Sequence, residues 1–239
     1  MTESFNAYSQ PIGRIIPGWS ARPLPPVIPI DGRYCRIERA DAATQAADLF
    51  AAYAEAPDDR GWTYLPVERS PDLTHYRAWF EANAAKIDPF FHTIIDKQNG
   101  RASGVAAYLR IDPANGVIEI GHINLAPRLQ RTRAATEAMF LLMRRAFDEL
   151  GYRRYEWKCD SLNAPSRRAA LRYGFRSEGI FRQAVVYKGR NRDTAWFSII
   201  DTEWPAIRTG FELWLDPANF DAQGRQRTAL SCLIAAERT

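Results

Sequence analysis

The sequence predicts a mixed α/β fold, α+β in layout, with one largely antiparallel sheet of about seven strands flanked by helices. Between 89 and 125, short apolar segments alternate with turn signals, which is typical of consecutive antiparallel strands. From residue 117 onward, strand-like segments alternate with helical periodicity, as in βαβ units. The chain has 239 residues, so we expect one sizeable domain with extensions.

The composition indicates an ordinary globular protein. Apolar residues make up 46% of the chain and charged residues 25%, and the formal net charge is +4. A charge of this size permits an anionic ligand but does not require nucleic acid, so we expect no nucleic-acid partner. No run of apolar residues approaches the length of a membrane span, and the N-terminus has no apolar signal core. We therefore expect no membrane association.

Cysteine and histidine usage points to a reducing compartment without a metal site. Cys35, Cys159 and Cys232 are far apart and odd in number, unlike a disulfide framework. The three histidines are isolated and no CxxC pair occurs, so no metal-ligand spacing is present. We expect a cytoplasmic protein that binds no metal.

The first half of the chain divides into an arm and a series of regular elements. Residues 1–32 are rich in proline and glycine and are expected to form an extended arm that packs on the body. Asp41 is the expected N-cap of the first helix, and Ser70 or Asp72 that of the second. The expected elements are strand 33–40, helices 42–56 and 70–87, and strands 89–96, 102–112 and 117–125.

The segment 127–140, PRLQRTRAATEAMF, follows the last of these strands and begins a long amphipathic helix. Free backbone amides and the helix dipole favour an anion at such a position. Arg128, Arg131 and Arg133 add positive charge. The alternative is a solvated basic helix start, because the loop contains no glycine. Beyond Gly151, the expected helix stop, follow strand 152–159, a shorter helix 163–173, two strands joined at 188–191, and a C-terminal helix.

Several motifs in this second half resemble the GNAT (Gcn5-related N-acetyltransferase) superfamily, and within it the ribosomal-protein N-terminal acetyltransferase branch. They are specific jointly, because they occur in the family's order and at its intervals over about Gly32 to Asp201. The residues that carry the resemblance are EIGH at 119–122, Gln130, Ala135, Thr136, Glu137, Ala138, Asn163, Ser166, Gly174, Phe175, EGIFRQ at 178–183 and DTAWFSIID at 193–201.

The resemblance implies a sheet splayed between its fourth and fifth strands, with acetyl-CoA as acyl donor in the gap and no metal. It divides the chain into the arm 1–32, an acetyltransferase domain 33–201 and a C-terminal helical extension 202–239. Asn163 would contact the cofactor, or act only as a helix N-cap. The residues implied to form the pyrophosphate loop are Gln130, Arg131, Thr132, Arg133, Ala134 and Ala135.

The same resemblance implies direct transfer of an acetyl group to an amine. Ser166 maps onto the serine that protonates the leaving thiolate in the ribosomal-protein branch, and the tyrosine used by other members is replaced by Ala170. The branch's glutamate base maps onto Val185, which cannot titrate. This leaves Glu119, His122 and Asp160 as candidate bases, with Glu119 acting through a water chain. Strand parity separates Glu119 from His122 unless a bulge near Gly121 shifts the register.

The sequence thus predicts an acetyl-CoA-dependent N-acetyltransferase for a primary amine on a protein N-terminus, an amino acid or a small molecule. The partners implied are acetyl-CoA and the amine, with the protein a monomer or homodimer. A non-catalytic acyl-CoA-binding or regulatory module is the alternative. We expect the acceptor pocket to be lined partly by Trp62, Tyr64 and Phe91.

Overall fold

A computed structural model describes residues 4–238. Its strands are β1 (Ser4–Phe5), β2 (Pro11–Ile12), β3 (Ile30–Asp31), β4 (Cys35–Arg39), β5 (Phe90–Asp96), β6 (Arg101–Asp112), β7 (Val117–Leu125), β8 (Arg154–Asp160), β9 (Arg176–Tyr187) and β10 (Arg190–Ile200). Its helices are α1 (Ala42–Ala54), α2 (Leu73–Ala84), α3 (Arg133–Arg144), α4 (Ala164–Arg172), α5 (Trp204–Leu215) and α6 (Leu230–Glu237). No helix within 4–238 is long and apolar enough to cross a membrane.

The main sheet has eight strands in the order β3-β4-β5-β6-β7-β8-β10-β9, and β1 and β2 form a separate hairpin. All neighbours in the main sheet are antiparallel except β7 and β8, which are parallel. The expected mixed, largely antiparallel sheet is therefore confirmed. The eighth strand is β3, a two-residue edge strand at the end of the proline-rich arm.

The two parallel strands separate partway along their length. Residues 117–120 of β7 pair with 154–157 of β8, and the pairing ends there. Beyond that point β7 continues along β6 to Leu125, and β8 continues along β10 to Asp160. The splay expected from the resemblance is thus present. It opens at the carboxyl ends of both strands, the edge where ligands bind in sheets of this type.

Local sequence signals set the ends of the helices. Asp41 caps α1 by accepting from the amide of Ala43, and Asp72 caps α2 by accepting from the amide of His75 at 2.9 Å. After α3 the chain makes one wider π turn and stops at Gly151, whose φ of +69° suits glycine. The expected caps and the expected stop are confirmed, with Asp72 rather than Ser70 as the second cap.

Helices pack on both faces of the sheet, which creates two cores. On one face α1 and α2 cover β5 and β6 through residues such as Leu49, Phe80 and Phe91. On the other face lie α3, α4, α5 and α6, where Phe140 of α3 stacks on Phe211 of α5 with ring centroids 5.3 Å apart. The gap between β7 and β8 connects these two faces.

Both chain extensions pack on the body. In the arm, the Trp19 indole donates to the carbonyl of Ala114 at 2.8 Å, and the Arg22 amide donates to that of Pro113 at 2.9 Å. At the other end, α6 lies so close to α5 that a Cβ at Gly210 would meet backbone atoms of Ile234 at 2.9 Å. The arm is therefore packed, as expected, although residues 4–12 form a hairpin instead of a continuous extended strand.

A buried histidine makes stability depend on pH. His92 is 2% exposed, and neither ring nitrogen has a hydrogen-bond partner within 4–238. Burial, and secondarily the charges of Arg145 and Arg39, lower its pKa from 6.5 to about 3. Only the unfolded chain binds the proton between these values, so stability is full above pH 6.5 and falls as the pH drops towards 3.

We expect His92→Leu to remove this acid sensitivity, because leucine cannot be protonated in the unfolded chain. The wild type should lose about 1.4 kcal/mol per pH unit through this group. Urea unfolding between pH 7 and 4.5 measures the slopes. His75→Gln is the matched control, since His75 is exposed on α2. Equal slopes for the wild type and His92→Leu would contradict the expectation.

Candidate functional site

A bulge in β7 brings His122 to the face of the sheet that α1 and α2 cover. Asn124 pairs with Val105 and Gly121 with Ala107, so two residues of β7 oppose one of β6. His122 takes the left-handed φ of +47° that the bulge requires. Its ring lies 5.0 Å from that of Phe91, which is on the same face. The bulge considered near Gly121 is therefore present, and Glu119 and His122 share a face.

His122 lines a cavity of about 810 Å³ between α1, α2 and the intervening segment 55–71, at the ends of β6 and β7. Burial lowers the pKa of the imidazole below 6.5, and the positive charges of Arg110 and Lys86 lower it further. The neutral ring is therefore the main form at pH 7. It can accept a proton from a group bound in the cavity.

Glu119 lies behind this cavity in a buried ion-pair network. It is 3% exposed, and its Oε2 contacts Arg110 Nη1 at 2.6 Å and Lys158 Nζ at 2.9 Å. Lys158 also contacts Glu156 at 2.7 Å and lies 3.7 Å from the centre of the Trp196 ring. Glu119 does not line the cavity. The geometry therefore places His122, not Glu119, at the cavity wall.

Sequence reasoning missed Lys158 and Glu156, which carry this network on β8. A signal was available in the segment YEWKC, where charged residues alternate with Trp157 and Cys159. In a strand this alternation puts Glu156 and Lys158 on one face together. Register pairing of Glu156 with Glu119 then sets two carboxylates side by side, and the Lys158 ammonium compensates both.

Asp160, the third candidate base, is engaged at the end of β8. Its carboxylate accepts from the Tyr187 hydroxyl at 2.8 Å and from the amide of Leu162 at 2.9 Å. These bonds fix the turn that leads into α4. Asp160 is also absent from the lining of the cavity, so the structure does not bring it together with His122.

Ser166 lies on the other face, in the first turn of α4. Its Oγ accepts from the Trp157 indole at 2.9 Å, and its amide donates to Asn163 Oδ1 at 3.1 Å. The hydroxyl proton of Ser166 is therefore available to another acceptor. Asn163 is the N-cap of α4, as the simpler of its two interpretations predicts. Burial raises the pKa of the neighbouring Cys159 thiol, which is in keeping with a core residue.

The loop between β7 and α3 presents unpaired backbone donors. Thr132 caps α3 by accepting from the amide of Ala135 at 3.1 Å, and Gln130 donates from its side chain to Leu125. Within the described chain, the amides of Arg131, Arg133 and Ala134 have no acceptor. Three free donors at the positive end of a helix dipole form a site for an anion.

The three arginines of this loop do not act alike, which corrects the expectation that all add charge to it. Arg128 turns away to Glu55, directly after α1, 2.6 Å distant. The Arg133 guanidinium lies between the rings of Tyr34 and Phe220, 5.1 and 4.6 Å from their centres. Arg131 is exposed, and its side chain makes no hydrogen bond, ion pair or ring contact within the described part of the chain. Arg131 is therefore the one of the three that is free to meet an anion.

The backbone explains why a glycine-free loop is tolerated. Arg131 has a φ of +61°, so the left-handed position falls there. Arg133 begins α3 with helical backbone, which any residue adopts. The Arg133 side chain therefore points aside, between Tyr34 and Phe220, while its amide stays free.

The three residues expected to line an acceptor pocket do not all line this cavity. Trp62 lines the cavity, but Tyr64 and Phe91 do not. Tyr64 donates its hydroxyl to the Leu162 carbonyl at 3.2 Å, and Phe91 is covered by neighbours that include His122. Among residues 4–238, no group of three or more His, Cys, Asp or Glu side chains has the arrangement of a metal site.

Comparisons with known proteins agree with these features. Residues 37–176 match the model of the acetyltransferase (GNAT) domain. A GCN5-related N-acetyltransferase from Brucella melitensis is 47% identical, with a TM-score of 0.90 over 92% of this chain and 100% of that one. A probable acetyltransferase of the GNAT family from Chromobacterium violaceum is 42% identical, with a TM-score of 0.76 over 82% and 98% of the two chains.

More distant relatives are informative about the fold only. The uncharacterized N-acetyltransferase p20 of Bacillus licheniformis is 31% identical over 112 residues, which are 47% of this chain and 62% of that protein. The chain thus spans less than two thirds of that relative. Ribosomal-protein acetyltransferases among the solved structures are 20 to 21% identical, with TM-scores of 0.60 to 0.62. They share the fold.

Proposed function

The chain belongs to the GNAT family of N-acetyltransferases, and on that premise we propose that it transfers an acetyl group from acetyl-CoA directly to a primary amine. The observation that carries the proposal is the set of free amides at Arg131, Arg133 and Ala134, next to the gap between β7 and β8. A pyrophosphate needs such donors, and an extended pantetheine arm needs such a gap.

The residues around the gap suit acetyl-CoA chemically. The free amides and Arg131 would bind the pyrophosphate, with Gln130, Thr132 and Ala135 shaping the loop. Asn163 would contact the cofactor by its side-chain amide while its Oδ1 caps α4. The cysteines at 35, 159 and 232 are free thiols, which fits the cytoplasmic location that we propose.

The titratable groups divide the proton transfers between the two faces of the sheet. Acetyl-CoA supplies the thioester whose acyl group is transferred. His122 takes the proton of the acceptor ammonium on the cavity side, because its imidazole is neutral at pH 7. Ser166 passes to the leaving thiolate, on the α4 side, the second proton, which the amine nitrogen loses as the amide forms, so that its hydroxyl is restored. Glu119 supports the site by holding Arg110 and Lys158.

A non-catalytic acyl-CoA-binding module is the second candidate. It is favoured by Ala170, fully buried at the family's tyrosine position, and by Val185 at the position of the branch's glutamate. Under this alternative the anion site would bind the acyl-CoA, and His122 and Ser166 would transfer no proton.

Thermal shift with acetyl-CoA, followed by a thiol-release assay over an amine panel, tests the proposal. We expect acetyl-CoA to raise the Tm, since a ligand that binds only the folded state stabilises it. We also expect free thiol to appear with at least one amine, and less of it with Ser166→Ala at unchanged acetyl-CoA affinity. Binding without thiol release across all amines would favour the second candidate. No shift at high ligand excess would refute both.

We expect Arg133→Gly to leave acetyl-CoA affinity within about threefold of the wild type, because the backbone donor is kept. The variant should lose stability, since it gives up two cation–π contacts, each worth about 0.5–1 kcal/mol at an exposed site, and places glycine in a helix. Titration calorimetry and urea unfolding measure the two effects. A large loss of affinity with no loss of stability would show that the side chain serves the ligand.

A further inference from the structure

We propose that the acceptor is a small primary amine whose body is a flat aromatic group, bound in the cavity at His122. This inference rests on the proposed acetyl transfer and deepens it by naming the class of acceptor. Three observations support the inference: the side chains of the cavity wall, the volume of the cavity, and the contacts that close the cavity.

Five aromatic side chains line the cavity, beside aliphatic residues such as Leu65 and Val105. The five are Phe50, Tyr53, Trp62, Tyr76 and Trp79. They touch one another in a continuous series, with ring centroids 5.8 to 6.1 Å apart and tilted or edge-on geometry. Phe50 and Trp79 are only half-buried, so each has ring surface left to cover. A flat aromatic guest can meet such a wall both face-on and edge-on.

Several polar groups of the wall are engaged or lie at the rim, whereas the buried Tyr76 hydroxyl has no hydrogen-bond partner within 4–238. The Tyr53 hydroxyl donates to the Asn124 carbonyl at 2.9 Å, and Arg69 donates to the Tyr53 carbonyl at 3.2 Å while lying over Trp62. Asp59 and Glu68 are exposed and paired with Arg69 and Lys188. A polyhydroxylated amine would lose its water and regain few hydrogen bonds there. The wall therefore selects against sugars and for apolar bodies.

The segment 55–71 closes the cavity into a pocket. Lys188 donates to the Trp62 carbonyl and Arg190 to the Thr63 carbonyl, each at 2.8 Å, which ties the segment to the turn between β9 and β10. Arg69 ties its other end to α1. The volume of about 810 Å³ is within the range of small-molecule pockets. This enclosure favours a small molecule over the N-terminus of a folded protein.

The polar side chains of the cavity indicate where the amine group of the acceptor would lie. His122 and Asn124 supply the polar part of the inner wall, from the strand that borders the gap. A primary amine attached to an aromatic body by a short linker would put its nitrogen at His122 and its ring against Trp79. Trp79 and His122 both contact Phe91, with ring centroids 6.0 and 5.0 Å from it, so they belong to one wall.

The test compares 2-phenylethylamine and tryptamine with ethanolamine, an aminoglycoside and a short peptide that begins with serine. We expect kcat/KM for the two aromatic amines to exceed that for each of the others by 100-fold or more. Trp79→Ala should lower kcat/KM for the aromatic amines by 10-fold or more, and Trp79→Phe should recover most of it. Phe181→Ala is the control, since Phe181 is an exposed aromatic on β9, away from the cavity. An unchanged acetyl-CoA-induced Tm shift verifies the fold of each variant.

The outcomes separate the acceptor class from the activity. If the peptide or the aminoglycoside is acetylated as efficiently as the aromatic amines, the acceptor class is wrong while the acetyl transfer stands. If acetyl-CoA binds but no amine is acetylated, the proposed transfer fails. Calorimetry of the aromatic amines with the CoA-bound protein then tests amine binding separately from catalysis. Saturable binding that Trp79→Ala weakens would support the proposed acceptor site. Absence of binding at millimolar amine would overturn it.

Discussion

Replacing His122 by asparagine should lower kcat for acetyl transfer by about 100-fold or more, because a positioned general base contributes on that order. Asparagine is the appropriate substitution, since it tolerates the left-handed φ of +47° at the bulge and cannot accept the proton. The Tm shift caused by acetyl-CoA should not change, because the anion site lies on α3. Steady-state thiol release with the best amine of the panel measures the effect.

The pH profile provides the second readout for the same residue. Burial and the charges of Arg110 and Lys86 depress the pKa of His122, so the active neutral form is present above that pKa and lost as the pH falls through it. The acid limb of kcat/KM in the wild type should therefore lie below pH 6.5. This limb should be absent in His122→Asn.

Glu119→Gln is the matched control for the base. The substitution keeps the shape of the side chain but removes one of the two carboxylates that pair with the buried Lys158 ammonium, so we expect lower stability. Turnover per folded molecule should fall much less than in His122→Asn. Full activity in His122→Asn together with a 100-fold loss in folded Glu119→Gln would reverse the two roles.

Local signals predicted most of the fold. Each regular element from β4 to α5 has a local cause in its own residues, such as the cap at Asp41, the stop at Gly151 or the alternation of β5 and β6. The hairpin of β1 and β2 was missed because its strands are two residues long. The helix α6 was predicted only as part of a helical extension and without its bounds, because its packing at Gly210 decides it.

In the candidate site, too, the sequence predicted the features that local residues determine and missed those that depend on residues distant in sequence. The anion loop was predictable because its donors are backbone amides at a helix start. The cavity was not predictable, because the residues of α1, α2 and β7 that line it follow no regular spacing in the sequence. The orientation of Arg133 depends on Phe220, which belongs to the C-terminal extension. Side-chain partners that lie far apart in sequence are therefore what sequence reasoning leaves open.

Arg131→Asp should weaken acetyl-CoA binding by about 10-fold or more, equivalent to about 1.4 kcal/mol. The change places a negative charge at the free amides where the pyrophosphate is proposed to bind. It should not lower stability, because aspartate tolerates the left-handed φ of +61° and an anion at a helix N-terminus is favourable. Weaker acetyl-CoA binding without a loss of stability would distinguish a ligand site from a structural defect.

Comparing Arg131→Asn with Arg131→Asp separates the effect of removing the positive charge from the effect of adding a negative one. Asparagine has the same backbone tolerance and no charge, so its affinity should fall between those of the wild type and Arg131→Asp. Calorimetry at 50 and 300 mM salt should show the difference between the two variants shrinking, since this side chain is exposed and its interactions are screened. Equal acetyl-CoA affinities in all three proteins at low salt would mean that the pyrophosphate does not bind at the start of α3, and the proposed position of the donor would have to be abandoned.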